Sequence, residues 1–150
     1  MSQREQPWTD DQIRHGRILV LSDNPISRAI ETIATAVGRE VHVEASDDGG
    51  PGLRPGPGDA VVLCDHDAPD APAVLRAALA SEASYVAMMA SRRRAVAVAD
   101  ELTEEGVDIS TLHVPAGHNL GGKAPGEIAL SVVAEIVAES YDRPGGPMRD

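Results

Sequence analysis

The hydrophobic and polar positions of this chain change rhythm several times. Ile18 to Leu21 is a short unbroken apolar run, the signature of a strand buried on both faces. Pro25 follows, suited to the first turn of a helix because its missing N–H costs nothing there. Ile26, Ile30, Ile33 and Val37 then recur at helical spacing, and Gly38 provides a C-terminal stop. Glu40 to Glu44 alternates like a strand. The Gly- and Pro-rich stretch DDGGPGLRPGPGD, residues 47–59, excludes regular structure and stands where a longer nucleotide-binding fold would place a whole helix–strand unit.

The second half continues the alternation. Val61 to Cys64 reads as a third strand. Residues 69–81 read as a helix with Val74, Leu75, Ala78 and Leu79 on one face, and Tyr85 to Met89 as a fourth strand. SRRRAVAVADELTEEG reads as a helix with Ser91 as its N-cap and Gly106 as its end. A turn and a short fifth strand fall within Val107 to Val114. The last helix spans Pro125 to about Tyr141, with a polar stripe of Glu127, Ser131, Glu135 and Glu139 on an otherwise apolar or small surface. Such a helix either closes the core or sits in a subunit interface.

Strands alternating with helices imply parallel pairing through right-handed crossovers. The expected fold is α/β: a three-layer sandwich around a small, mainly parallel sheet of four to five strands. Residues 16–141 form one domain, between a flexible segment, 1–15, and a flexible tail, 142–150.

Composition narrows the functional classes. Aromatic residues make up 2% of the chain and Phe is missing, so the core is aliphatic and stacking on bases has little to work with. The formal charge of −11 repels a phosphate backbone, which excludes a general nucleic-acid binder. A single Cys excludes an internal disulfide framework. The first residues lack the apolar core of a signal peptide, and no apolar run approaches the roughly 18 residues of a membrane span. The expectation is a cytoplasmic protein.

In open α/β sheets ligands lie beyond the carboxyl ends of the strands. Four segments meet there. In Ser22-Asp23-Asn24 the glycines of a pyrophosphate loop are missing, and Asn24 is placed to cap a helix. Cys64-Asp65-His66-Asp67 is a polar strand end in which His66 and Asp67 are candidates for binding. Ala90 to Arg94 opens a helix with three arginines, where the dipole disfavours cations, and an anion at the helix N-terminus, with Ser91 and the free N–H groups as added donors, would compensate. The alternative is that these arginines reach Glu82, Asp100 or Glu101. Gly117 to Gly122 brings the backbone of Gly121 and Gly122 close to a ligand, a partner or itself, with His118 and Asn119 on offer; His42 and His113 read as structural or exposed.

The stretch from Tyr85 to Ala138 resembles the C-terminal Rossmann-like domain of the XdhC family, accessory proteins of xanthine dehydrogenase and related molybdenum hydroxylases. Ser91-Arg92, Gly117, Gly121 and EIALSVVAEIVA match that family's pattern, and His66 and Asp67 match its T-H-D strand end. The first turn departs from the family's G-A-G-H, Ala87 and Ala90 replace glycines, and His118-Asn119 replace Leu-Asp. The family's N-terminal domain, which carries its cysteine chemistry, has no counterpart in residues 1–150, and Cys64 does not correspond to that cysteine. The resemblance implies a non-enzymatic maturation factor or chaperone, without catalytic or metal-ligating residues. It would handle the molybdenum cofactor (molybdopterin) or a related nucleotide for a molybdenum hydroxylase subunit, alone or with other maturation factors. The cofactor-binding set this implies is Ser22, His66, Asp67, Ser91, Arg92, Gly117, Asn119, Gly121 and Gly122. A homodimer is expected, through the last helix or the sheet edge. The rival readings are an NAD(P)-dependent oxidoreductase, opposed by the altered turn and the lack of a Tyr-x-x-x-Lys pair, and a degenerate domain with a scaffold or oligomerising role.

Overall fold

A computed structural model describes residues 15–44, 54–65, 67 and 71–149 of the chain. The elements are β1 (Ile18–Leu21), α1 (Pro25–Ala36), β2 (Val41–Glu44), β3 (Ala60–Leu63), α2 (Ala71–Ala80), β4 (Tyr85–Met88), α3 (Arg92–Glu104), β5 (Leu112–His113) and α4 (Pro125–Ser140). They form one parallel sheet in the order β2-β1-β3-β4-β5. This is the doubly wound order, with the direction of winding reversing between β1 and β3. Among the described residues it corresponds to a six-stranded dinucleotide fold without one edge strand and its helix. The first nine residues of the segment joining β2 to β3, and residues 1–14 of the expected N-terminal segment, lie outside the described residues.

Period-two alternation sorts the strands onto two cores. Ile18, Val20, Ala60, Val62, Cys64, Tyr85 and Ala87 point to one face and meet Ile30 and Ala34 of α1 and Ala129, Val132, Val133 and Ile136 of α4. Leu19, Leu21, Val61, Leu63, Val86 and Met88 point to the other and meet Ala71, Val74, Leu75 and Ala78 of α2, with Val98 of α3 packed alongside. The result is the expected three-layer sandwich.

Boundaries shift by a residue or two. Cys64 and Met89 fall just beyond their strands; α2 is described from Ala71, and the expected start at 69 lies outside the described residues. Val37 is the C-cap of α1 and half-exposed rather than a core residue, because the helix stops at Ala36. The returning loop is pinned by Asp59, which is 5% exposed. Its carboxylate accepts from the Arg17 backbone N–H (2.7 Å), the Arg17 guanidinium (2.7 and 3.2 Å) and the Gly56 N–H (2.8 Å). Burial opposes that charge, yet these donors outweigh it and hold the carboxyl below its ordinary value. Residues 142–149 turn back beside α4, and Gly145 comes so close to His118 that a Cβ there would collide with the ring.

Candidate functional site

At the carboxyl edge the altered first turn keeps a glycine-like backbone. Ser22 has φ +79°, in the left-handed region, although it carries a side chain. Its Oγ is buried and has no hydrogen-bond partner among the described residues. Asn24 caps α1 in a full capping box: Oδ1 accepts from the N–H groups of Ile26 (2.9 Å) and Ser27 (3.0 Å), and its own N–H donates to Ser27 Oγ (2.7 Å). With Pro25 lacking an N–H, the first-turn donors that a pyrophosphate would use are already spent. Asp23 makes a two-pronged pair with Arg28, both contacts at 2.7 Å, and Asn24 Nδ2 donates to the Cys64 carbonyl at 3.2 Å. The α1 N-terminus is therefore closed by its own sequence.

The N-termini of α3 and α4 differ. Among the described residues Ser91 Oγ accepts only from the Arg94 N–H (3.1 Å), and the N-cap of α4, Ala124, makes no side-chain cap. Both ends border a groove of about 390 Å³, lined among others by Ser91, Arg92, Asn119, Gly121, Gly122 and Lys123. Arg92, Arg93 and Arg94 are exposed, and among the described residues no carboxylate pairs with them. Glu101, one acid considered for them, instead faces Arg76, whose main partner is Glu105 at 2.6 Å. The α4 end carries its own acid, because a Cβ on Gly122 would strike the Glu127 carboxylate. The cationic side chains that line the groove are Arg92 and Lys123.

Five of the residues expected at the site, Ser91, Arg92, Asn119, Gly121 and Gly122, share this groove. Ser22 and Asp67 lie at the ends of the first and third strands and do not line it, and His66 lies outside the described residues. Gly117 sits behind the groove wall, with φ +100° and no room for a Cβ against Ser131. Lys123 was readable only as the one lysine in an arginine-rich chain; its place on the groove depends on the fold.

Behind the wall is a polar cluster that sequence reasoning missed. The α4 stripe does not face solvent along its length. Glu135 turns inward and accepts from Tyr85 Oη (2.6 Å) and the Gly117 N–H (2.9 Å), with His113 Nδ1 at 3.4 Å. His113 stacks on Tyr85 with ring centroids 4.4 Å apart, and its Nε2 lies 3.9 Å from Glu139. Burial would raise the Glu135 carboxyl, but His113, Tyr85 and Gly117 together bring it down to about 2. Burial and the Glu135 charge push the Tyr85 phenol well above its ordinary value. The one sequence signal was the exact i+4 spacing of the stripe.

Cys64 is buried in the core, and burial followed by the Asp65 charge pushes its thiol up to about 12. It is a packing residue, held as the unreactive thiol. No helix among the described residues is long and apolar enough to cross a membrane.

Fold and groove define a doubly wound α/β domain with a groove at its carboxyl edge. The chain belongs to the XdhC Rossmann domain family, whose profile matches residues 18–136. It is 41% identical over 68 residues to the uncharacterized protein YqeB of Escherichia coli K12, a match covering 43% of this chain and 13% of that protein. A crystal structure of a xanthine dehydrogenase from Bacillus halodurans shares the fold, with a TM-score of 0.71 and 21% identity over 86% of this chain and 44% of that one. The chain thus spans less than half the length of these two relatives.

Proposed function

We propose that this chain is a non-catalytic accessory module that assists handling of the molybdenum cofactor for a molybdenum hydroxylase. The cofactor is cargo here, and its phosphate end is the part the groove suits. One observation carries the reading: the donors of α1 are consumed by Asn24, whereas the open N-termini of α3 and α4 border one groove with Arg92 and Lys123. Backbone donors, helix dipole and guanidinium charge act together at the α3 end. Arg92 directly follows the N-cap, while Arg93 and Arg94 are turned roughly 100° and 200° further round the helix.

Titration of molybdopterin into the protein tests this. Arg92→Ala should weaken binding at least about tenfold, the loss of one hydrogen bond to a charged group, and Arg94→Ala much less. Unchanged affinity in both variants, with the fold intact, would remove the groove from the mechanism. Binding of NAD or NADP should be no tighter than about millimolar, since the first turn has neither glycines nor free donors. Micromolar binding would instead favour the oxidoreductase reading.

Association as a homodimer belongs to the same proposal. Most of the apolar surface of α4 is spent on the core within one chain, so a dimer rests on Leu130, 48% exposed, and on the half-open β2 edge. A monomer mass by light scattering across a wide concentration range would remove this part.

A further inference from the structure

The segment 115–123 supplies much of the groove wall, and three successive backbone N–H groups hold it in place. Ala116 donates to the Met88 carbonyl at the end of β4 (3.0 Å), Gly117 to the Glu135 carboxylate (2.9 Å), and His118 to the Ser131 carbonyl of α4 (3.1 Å). Two of these acceptors are backbone and cannot be changed by substitution. The middle one is a side chain, only 14% exposed, and it is tied at the same time to Tyr85 on β4 and His113 on β5. Gly117, at φ +100° and with its Cβ position blocked by Ser131, leaves no room for a side chain at this point of the wall.

We propose that Glu135 is the positioning residue of the groove: without lining it, its carboxylate fixes the Gly117–Gly122 wall relative to Ser91 and Arg92 and so sets how well an anion is held there. The effect on a ligand rests on the groove being the binding site; the effect on the wall does not. An acceptor that is both charged and buried suits this role, because a charge-assisted bond in a low-dielectric site is short and directional. The same helix offers a control. Glu139 lies one turn further on and carries the same charge, and among the described residues its ion pair is with His113, at 3.9 Å.

The test uses ¹⁵N-labelled full-length protein with inorganic phosphate as probe. Glu135→Gln should move the Gly117 amide proton upfield and speed hydrogen exchange across 117–122, while β1 and β3 amides keep their protection. It should also weaken phosphate binding by about fivefold, the worth of roughly one ordinary hydrogen bond. Glu139→Gln should change none of these. Should Glu135→Gln fail to fold, Tyr85→Phe/Glu135→Leu replaces both buried partners by apolar groups and should show the same loosening of 117–122. Wild-type exchange and an unmoved Gly117 amide in the folded variant would overturn the proposal. If the wild-type protein binds no phosphate, the groove reading fails by itself, and the amide shift and exchange still decide the role of Glu135.

Discussion

Ser22 shows what became of the altered turn. A glycine would occupy φ +79° without strain, whereas a side chain there costs on the order of 1 kcal/mol, and a buried hydroxyl with no partner adds to that. Ser22→Gly is therefore expected to stabilise the protein by about 1 kcal/mol, raising Tm by about 2–4 °C for a domain of this size. Calorimetry checks this, and an unchanged or lower Tm would mean that the hydroxyl has a partner in solution. Glu135 makes the complementary case. Its folded carboxyl titrates at about 2, below the ordinary 4.5, so its contribution is fully present above about pH 4.5 and disappears as pH falls through 2. The contribution is at most about 3 kcal/mol. Urea midpoints measured between pH 5 and about pH 2 should fall more steeply for the wild type than for Glu135→Gln; parallel curves would refute the assignment.

Elements here are held by a few polar pins as well as by packing. The β2-to-β3 connection has no described helix, and Asp59 fastens its return to the start of β1 through three contacts from Arg17, with the Gly56 N–H as a fourth donor within the connection. Asp59→Ala leaves the Arg17 and Gly56 N–H groups without their acceptor and is expected to cost about 2–3 kcal/mol, read as a lower urea midpoint with an unchanged slope. A loss below about 0.5 kcal/mol would show that solvent replaces the pin. At α1, Asn24→Ala removes a cap and should cost about 1 kcal/mol. Without glycines, the donors it frees should still leave NAD binding weaker than about millimolar.

Across the whole molecule the charge is uneven. The chain carries −11 overall, yet Arg92, Arg93, Arg94 and Lys123 cluster at one edge. Cations gathered at the N-terminus of α3 oppose the helix dipole, and the anion proposed to bind there would offset them. Anion binding there should weaken steadily as salt rises, because exposed charges are screened beyond about 8–10 Å at physiological ionic strength. Titrations at low and high salt check this; salt-independent binding would place the anion elsewhere.

The layering, the element order and the strand and helix boundaries to within two residues were legible in the sequence. Apolar runs, helical spacing, Pro25, Gly38 and Gly106 are local signals, and burial on two faces leaves few ways to satisfy them. The segments that reach the carboxyl edge were legible for the same reason, since parallel winding dictates where strand ends lie. Spacing placed Glu127, Ser131, Glu135 and Glu139 on one face of α4, but a helical period does not say what that face meets. Only the packing of α4 over β4 and β5 turned Glu135 inward onto Tyr85, His113 and Gly117. Only the fold brought Lys123 to the groove with Arg92, because contacts between residues distant in the chain depend on crossings and crossing angles that no local pattern encodes.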